Sequence, residues 1–232
     1  MKNLLLPALL SLFACAPALA QDAQVRSVAP FHAIKVGTGI ELDLTAGSTE
    51  RVEVSATTTE YRDRIQTVVK DGVLIISYEN PLSRNNRDRT NKHLRAAVTA
   101  DQLTGLTASS GSSVRTSGDF DAATFQLDVS SGASVKADLA TTTLTVRQSS
   151  GSSADVRGQA ATLDIQSSSG ATFDAPNLQT ATCRAEASSG SSITVAVKDD
   201  LVAQASSGGS ISYKGSPQLT KRTSSGGSVS GR

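Results

Sequence analysis

Residues 130–154 read SSGASVKADLATTTLTVRQSSGSSA, and the two Ser-Ser-Gly triplets that frame this stretch decide the fold. Between them, apolar and polar residues alternate. Val135, Ala137 and Leu139 are separated by Lys136 and Asp138, and Leu144 and Val146 by Thr145. A period of two is the mark of a strand with one buried face. The triplet recurs along the chain with its glycine at Gly111, Gly132, Gly151, Gly170, Gly190, Gly208 and Gly226, at spacings of 21, 19, 19, 20, 18 and 18. A drifting period near 19 residues predicts stacked coils whose loops tolerate small length changes.

Aligning the repeats on that glycine exposes the inward columns. Three residues after it stand Val114, Val135, Ala154, Phe173, Ile193, Ile211 and Val229. Five before it stand Leu106, Leu127, Val146, Ile165, Ala185 and Ala203, with Lys221 breaking the column in the last repeat. Even offsets are polar, as in Asp128, Arg147, Gln166 and Glu186 four residues before the glycine. By the same parity, the Ser before each Gly and the small residue after it are both expected to face inward at a coil corner.

One coil cannot bury its own apolar face, but a stack can, each strand pairing in parallel with the next about 4.8 Å away. The pattern therefore predicts an all-β fold, a right-handed parallel β-helix (β-solenoid) with coils of about 19 residues. Residues 25–106 alternate less regularly and read as opening strands and an N-terminal cap, and 107–232 as the Ser-Ser-Gly coils. Within the first part, Ile65 to Val69 and Val73 to Tyr78 around Asp71-Gly72 form a hairpin, and Thr57 to Arg64 a helical turn or loop.

Residues 1–20 carry the marks of an export signal. Lys2 precedes an apolar run from Leu4 to Ala14, and Ala18-Leu19-Ala20 offers small residues for cleavage before Gln21. A lipoprotein signal around Cys15 is the alternative. The run is too short to span a bilayer, and no later segment is apolar enough to do so. The expected compartment is the periplasm, the outer-membrane surface or the extracellular space, with 21–232 as a single domain. Cys183 is then the one remaining cysteine and has no intrachain partner.

Composition narrows the function classes. The chain of 232 residues has 22 Lys and Arg against 21 Asp and Glu, no Trp, and only 3% aromatic residues. A charge balance near zero argues against nucleic acid, which needs a basic surplus. Scarce rings argue against a stacking site. The two histidines, His32 and His93, belong to no metal-ligand spacing, so neither a metal nor another cofactor is expected. No catalytic residue stands out, because the many serines lack a nearby histidine and a nucleophile-elbow context.

Two groups of residues remain as binding candidates. Arg84, Arg87, Arg89 and Lys92 form a basic loop that could meet an anionic partner, or simply be a solvated hairpin loop. Asp155 and Asp174 fall in one outward column of adjacent coils. Stacked carboxylates can act as acid and base on a polysaccharide or hold a cation, and solvated carboxylates on a rod face are the plainer alternative.

The order of elements Phe31-x-x-Ile34-x-Val36-x-x-Gly39-Ile40-x-Leu42-x-Leu44, then Val52-x-Val54, then Asp71-Gly72-Val73-Leu74-Ile75-Ile76, then the Ser-Ser-Gly coils, resembles the "putative auto-transporter adhesin, head GIN" family of exported bacterial proteins. The resemblance covers about residues 28–230. It implies a β-helix and a cell-envelope protein, and it carries no catalytic residues. The resulting expectation is a non-catalytic, adhesin-like or structural module whose Ser/Thr-rich faces meet a surface glycan or an envelope protein. A polysaccharide-acting β-helix enzyme is the alternative. The last coil, with no visible cap, predicts a homo-oligomer or docking through exposed strand edges.

Overall fold

The computed structural model describes residues 23–79, 91–118 and 120–231. The expected export signal and Arg84, Arg87 and Arg89 lie outside the described residues. Each Ser-Ser-Gly triplet forms the same turn. Ser131 and Gly132 both take positive φ, 53° and 71°, and the amide of Ala133 donates to the carbonyl of Ser130 at 3.1 Å. These are the dihedrals of a type I′ turn. All seven turns repeat them, with the serine φ between 47° and 56°.

The turns separate two sets of strands. In chain order these are β1 (Gln24–Arg26), β2 (Ala33–Val36), β3 (Glu41–Ala46), β4 (Arg51–Ser55), the short helix α1 (Thr59–Asp63), β5 (Ile65–Lys70), β6 (Val73–Tyr78), β7 (Arg95–Ala100), β8 (Gly105–Ala108) and β9 (Ser113–Ser117). They continue as β10 (Phe120–Val129), β11 (Ser134–Gln148), β12 (Ser153–Ser167), β13 (Thr172–Ala187), β14 (Ser192–Ala205), β15 (Ser210–Lys214), β16 (Gln218–Thr223) and β17 (Ser228–Gly231). The long strands β11 to β14 run round a second corner, so each contributes to both faces. Segments that follow a turn make the front sheet, and segments that precede one make the back sheet. From β2 and β3 onward, successive coils pair in parallel. The chain is a β-solenoid of about seven turns.

The alternating columns become the core. On the front sheet Leu42, Val114, Val135, Ala154, Phe173, Ile193, Ile211 and Val229 stand in register, and all are buried. On the back sheet Ile34, Leu106, Leu127, Val146, Ile165, Ala185 and Ala203 do the same. A fully buried Val, Leu, Ile or Phe contributes about 1.5–3 kcal/mol. Large and small residues complement one another along these columns, with Ala154 beside Phe173 on the front sheet, as close packing requires.

At the turns the inward parity holds on one side only. The residue after the Gly is buried in the first six repeats, as at Ser112, Ala133, Ser152, Ala171 and Ser191, and half-buried at Gly227 in the last. The Ser before it, expected inward, is exposed, because its left-handed backbone places it at the tip of the turn. The buried hydroxyls are satisfied across coils. Ser152 donates to the carbonyl of Val129 at 2.9 Å, and Ser191 to that of Ser167 at 2.8 Å.

The N-terminal part joins the stack out of chain order. β6 and β7 pair in parallel with β2 and β3 on the side away from β8 and β9. Three antiparallel strands then close that end, β5 on β6, and β4 on β7 with β1 on β4. Thr58 caps α1, its hydroxyl accepting from the amide of Tyr61. The expected hairpin around Asp71-Gly72 is β5–β6.

Candidate functional site

Of the basic loop, Lys92 alone falls among the described residues. Its ammonium lies 5.3 Å from the centre of the Tyr61 ring, and its carbonyl accepts from the amide of Thr57. This lysine is thereby tied to the cap. A cation over a ring is worth about 0.5–1 kcal/mol at an exposed site.

Asp155 and Asp174 are register partners in β12 and β13, as their shared column requires. Asp155 is engaged elsewhere. It accepts from Arg157 Nη2 at 3.2 Å and from Nε at 3.4 Å. This hydrogen bond, with the charge of Asp155, holds the Arg157 guanidinium above its ordinary value. Asp174 is exposed. The chain bulges at the next step, where the pairing skips between Asp155 and Arg157. The geometry brings the two aspartates side by side but commits one of them to an arginine of its own strand. No group of three or more His, Cys, Asp or Glu that could hold a metal occurs among the described residues.

Two concave surfaces stand out that the sequence did not single out. The first is a polar trough of about 400 Å³ on the back sheet beside the turns. Four successive coils line it with the half-buried serines Ser130, Ser149, Ser168 and Ser188. Next to this hydroxyl row runs the column Asp128, Arg147, Gln166 and Glu186, each the register partner of the next. Asp128 accepts from Gln126 at 2.7 Å, and Glu186 pairs with Arg184. Arg147 enters none of the ion pairs formed among the described residues. The trough was hidden in plain sight: both columns are legible as polar offsets, but only their depth identifies a place where a ligand can lie.

The second surface is a larger open groove of about 860 Å³ along the second corner, from Thr141 to Ser216. There the coil length changes. The pairing of β13 with β14 skips between Ala175 and Gln179 and again between Thr180 and Thr182. The drift of the repeat period is absorbed at this corner, which is why no fixed offset marks it.

Cys183 faces the core and is buried. Burial, reinforced by the charge of Asp164, pushes its thiol from an ordinary 9.0 up to about 12. It is an inert packing residue. His32 and His93 are exposed and lie on separate parts of the N-terminal region.

A parallel stack of coils with polar outer columns belongs to the class of β-solenoids. Residues 30–217 match the family described as "Putative auto-transporter adhesin, head GIN domain", and the chain belongs to that family. No curated protein matches it. Solved structures share the fold. A crystal structure of a "putative adhesin" from Bacteroides fragilis superposes with a TM-score of 0.77 at 20% identity, covering 93% of this chain and 96% of that one. A "putative adhesin" from Parabacteroides distasonis gives 0.71 at 19%, covering 90% and 96%. A "putative lipid binding protein" from the same species gives 0.61 at 16%, covering 91% and 96%. No helix among the described residues is long and apolar enough to cross a membrane.

Proposed function

We propose that this chain is an exported, non-catalytic module of the bacterial cell envelope, and that the polar trough on the back sheet receives an extended surface glycan. The observation that supports this reading is the repetition of one polar pair on four successive coils. Each coil presents a serine hydroxyl and one of Asp128, Arg147, Gln166 and Glu186. Hydroxyls both donate and accept, and the neighbouring column supplies carboxylate, guanidinium and amide groups about 4.8 Å apart. A polyhydroxylated chain lying along the stack meets a matching partner at each step. A rigid sheet holds those partners in place, so little ordering cost is incurred on binding.

The test is binding of the protein, secreted or purified, to isolated envelope polysaccharide and to a panel of neutral and acidic glycans. The paired change Arg147→Ala with Gln166→Ala is expected to weaken capture while leaving the melting temperature within a few degrees, since both side chains are exposed. Absence of binding to every glycan, or binding unaltered by the double change, overturns the trough as the site. Turnover of a polysaccharide that disappears in Asp174→Asn would replace the non-catalytic reading with an enzymatic one.

A further inference from the structure

We infer that the groove along the second corner binds a single-chain anionic amphiphile, a long-chain carboxylate in its simplest form. The groove is distinct from the glycan trough, and the inference does not rest on that reading. Its volume lies in the range of sites that take small ligands, which are mainly apolar with a few placed polar groups. The apolar surface comes from Ala160, Ala161, Ala181, Ala196 and Val197 on three adjacent coils. Small side chains at this corner leave room that larger ones would fill. The groove crosses the coils of Thr141, Ala160, Thr180, Val197 and Gly215, four steps of about 4.8 Å, and so runs about 19 Å along the stack. An extended alkyl chain is long and thin enough to lie in such a channel.

Two observations fix the polar end. At the C-terminal end of the groove, where the coils shorten to 18 residues, the rim carries Lys198 and Lys214, both exposed, together with Asp199. Neither lysine enters an ion pair formed among the described residues, so the rim has a net positive charge. One coil away, Thr180 lines the groove and is buried, and its hydroxyl has no hydrogen-bond partner. Thr141, on the same corner two coils earlier, uses its hydroxyl on the carbonyl of Thr143 at 3.1 Å. A buried hydroxyl left unmatched is costly, and a ligand oxygen beside it removes that cost. A carboxylate placed near Lys198, Lys214 and Thr180 answers both observations, and its tail then runs over Ala181 and Ala161 towards Thr142. A neutral or cationic amphiphile would leave the lysines unanswered.

The experiment titrates the full-length protein with hexadecanoate below its micelle concentration, by calorimetry. Hexadecyltrimethylammonium and vesicles of anionic phospholipid serve as comparison probes. Saturable one-to-one binding of hexadecanoate is expected, with much weaker binding of the cationic amphiphile. Lys198→Glu combined with Lys214→Glu is expected to weaken the carboxylate by about tenfold or more, as reversing charged contacts does. Ala181→Phe, which fills the channel, is expected to abolish binding, with the melting curve confirming that the variant folds. If Ala181→Phe unfolds, Ala161→Phe at an exposed position serves instead. No binding of hexadecanoate, equal binding of the cationic amphiphile, or binding unmoved by the lysine changes overturns the inference. So does binding to vesicles alone, which would indicate a membrane surface as the partner. The Arg147→Ala and Gln166→Ala variant should bind hexadecanoate normally, so that failure at one site is distinguishable from failure at the other.

Discussion

The amide of Gly132 donates to the carbonyl of Ser150, one turn further along the stack, at 3.0 Å. The bond recurs from Gly39 to Ser110, Gly111 to Ser131, Gly151 to Ser169, Gly170 to Ser189, Gly190 to Ser207 and Gly208 to Ser225, always at 3.0–3.1 Å. The turns are therefore a continuous hydrogen-bonded spine in their own right. Ser-Ser-Gly is retained from coil to coil because one residue pair must take positive φ while its amide and carbonyl point along the stack.

Glycines in this chain fall into two kinds, and substitution should separate them. Gly132 has φ +71° and open space where a Cβ would go. Gly132→Ala should cost only the left-handed strain, about 1–2 kcal/mol. Gly158 has φ +105°, and a Cβ there would lie 2.1 Å from the carbonyl oxygen of Leu139 in the preceding coil. Gly158→Ala adds a backbone collision to the strain, and overpacking alone costs about 1–3 kcal/mol. Chemical denaturation of the two variants should rank Gly158→Ala clearly below Gly132→Ala. Equal losses would mean that the coils around Gly158 are free to move apart.

The Gly39 link shows what the repeat concealed. Gly37-Thr38-Gly39 makes the same turn as the Ser-Ser-Gly triplets, with Ile40 donating to Gly37 and with Thr38 and Gly39 at positive φ. It also carries the diagnostic columns, Ile34 five before and Leu42 three after. The sequence marks it as a turn but not as a member of the Ser-Ser-Gly series, because it lies 72 residues before Gly111 rather than about 19, and Gly37 and Thr38 stand in place of the serines. The intervening chain makes β4 to β7, which stack on the far side of the first coil. Periodicity reports neighbours in sequence, and here the neighbour in space is the next turn but not the next stretch of chain. The core columns were legible because a buried strand face must be apolar at every second residue. Neither concave surface was legible, since the trough depends on relief and the groove on the very register shifts that blur the repeat.

Phe173 is expected to be the most sensitive core position in the middle of the rod. It is fully buried and stands between Ala154 and Ile193 in its column. Phe173→Ala should destabilise by about 3–5 kcal/mol, the range for deleting a buried ring, because regular coils on both sides cannot collapse into the space. Thr172→Ala, one residue earlier and exposed, should stay within about 0.5 kcal/mol. Thermal melts of the pair check both the inward assignment of the column and the alternation. A mild Phe173→Ala would contradict the packing.

Cys183 gives a prediction in pH. Its thiol keeps its proton up to about pH 12 in the folded protein, whereas the unfolded thiol ionises from about 9.0. Between these values the folded state binds more protons than the unfolded state, so stability falls as pH rises, by about 1.4 kcal/mol per unit from this group. Below pH 9 the contribution is present in full. Denaturation midpoints measured from pH 8 to pH 11 should therefore fall less steeply in Cys183→Ala than in the parent. Iodoacetamide at pH 8 should label the parent only after unfolding. Rapid labelling of the native protein would show the thiol to be accessible.

The last coil predicts self-association. β16 pairs with β14 and β17 with β15, each along one edge, and every residue of Gln218–Thr223 is exposed. Leu219 occupies the column that is apolar and buried in earlier coils, as at Leu163 and Leu201, yet it is 37% exposed. Unpaired strand edges recruit further strands, and an exposed apolar column end favours an apolar partner. Here the edge carries Lys221 and Arg222, the kind of charge that blunts aggregation, so the association should be weak and reversible rather than fibrillar. Light scattering across a hundredfold range of protein concentration should show a dimer appearing at the high end. Leu219→Lys should shift the equilibrium towards monomer with at most a modest fall in melting temperature, because the side chain is only partly covered in the single chain. A strictly monomeric parent at the highest concentration would remove the prediction, and a dimer indifferent to Leu219→Lys would move the contact to another surface.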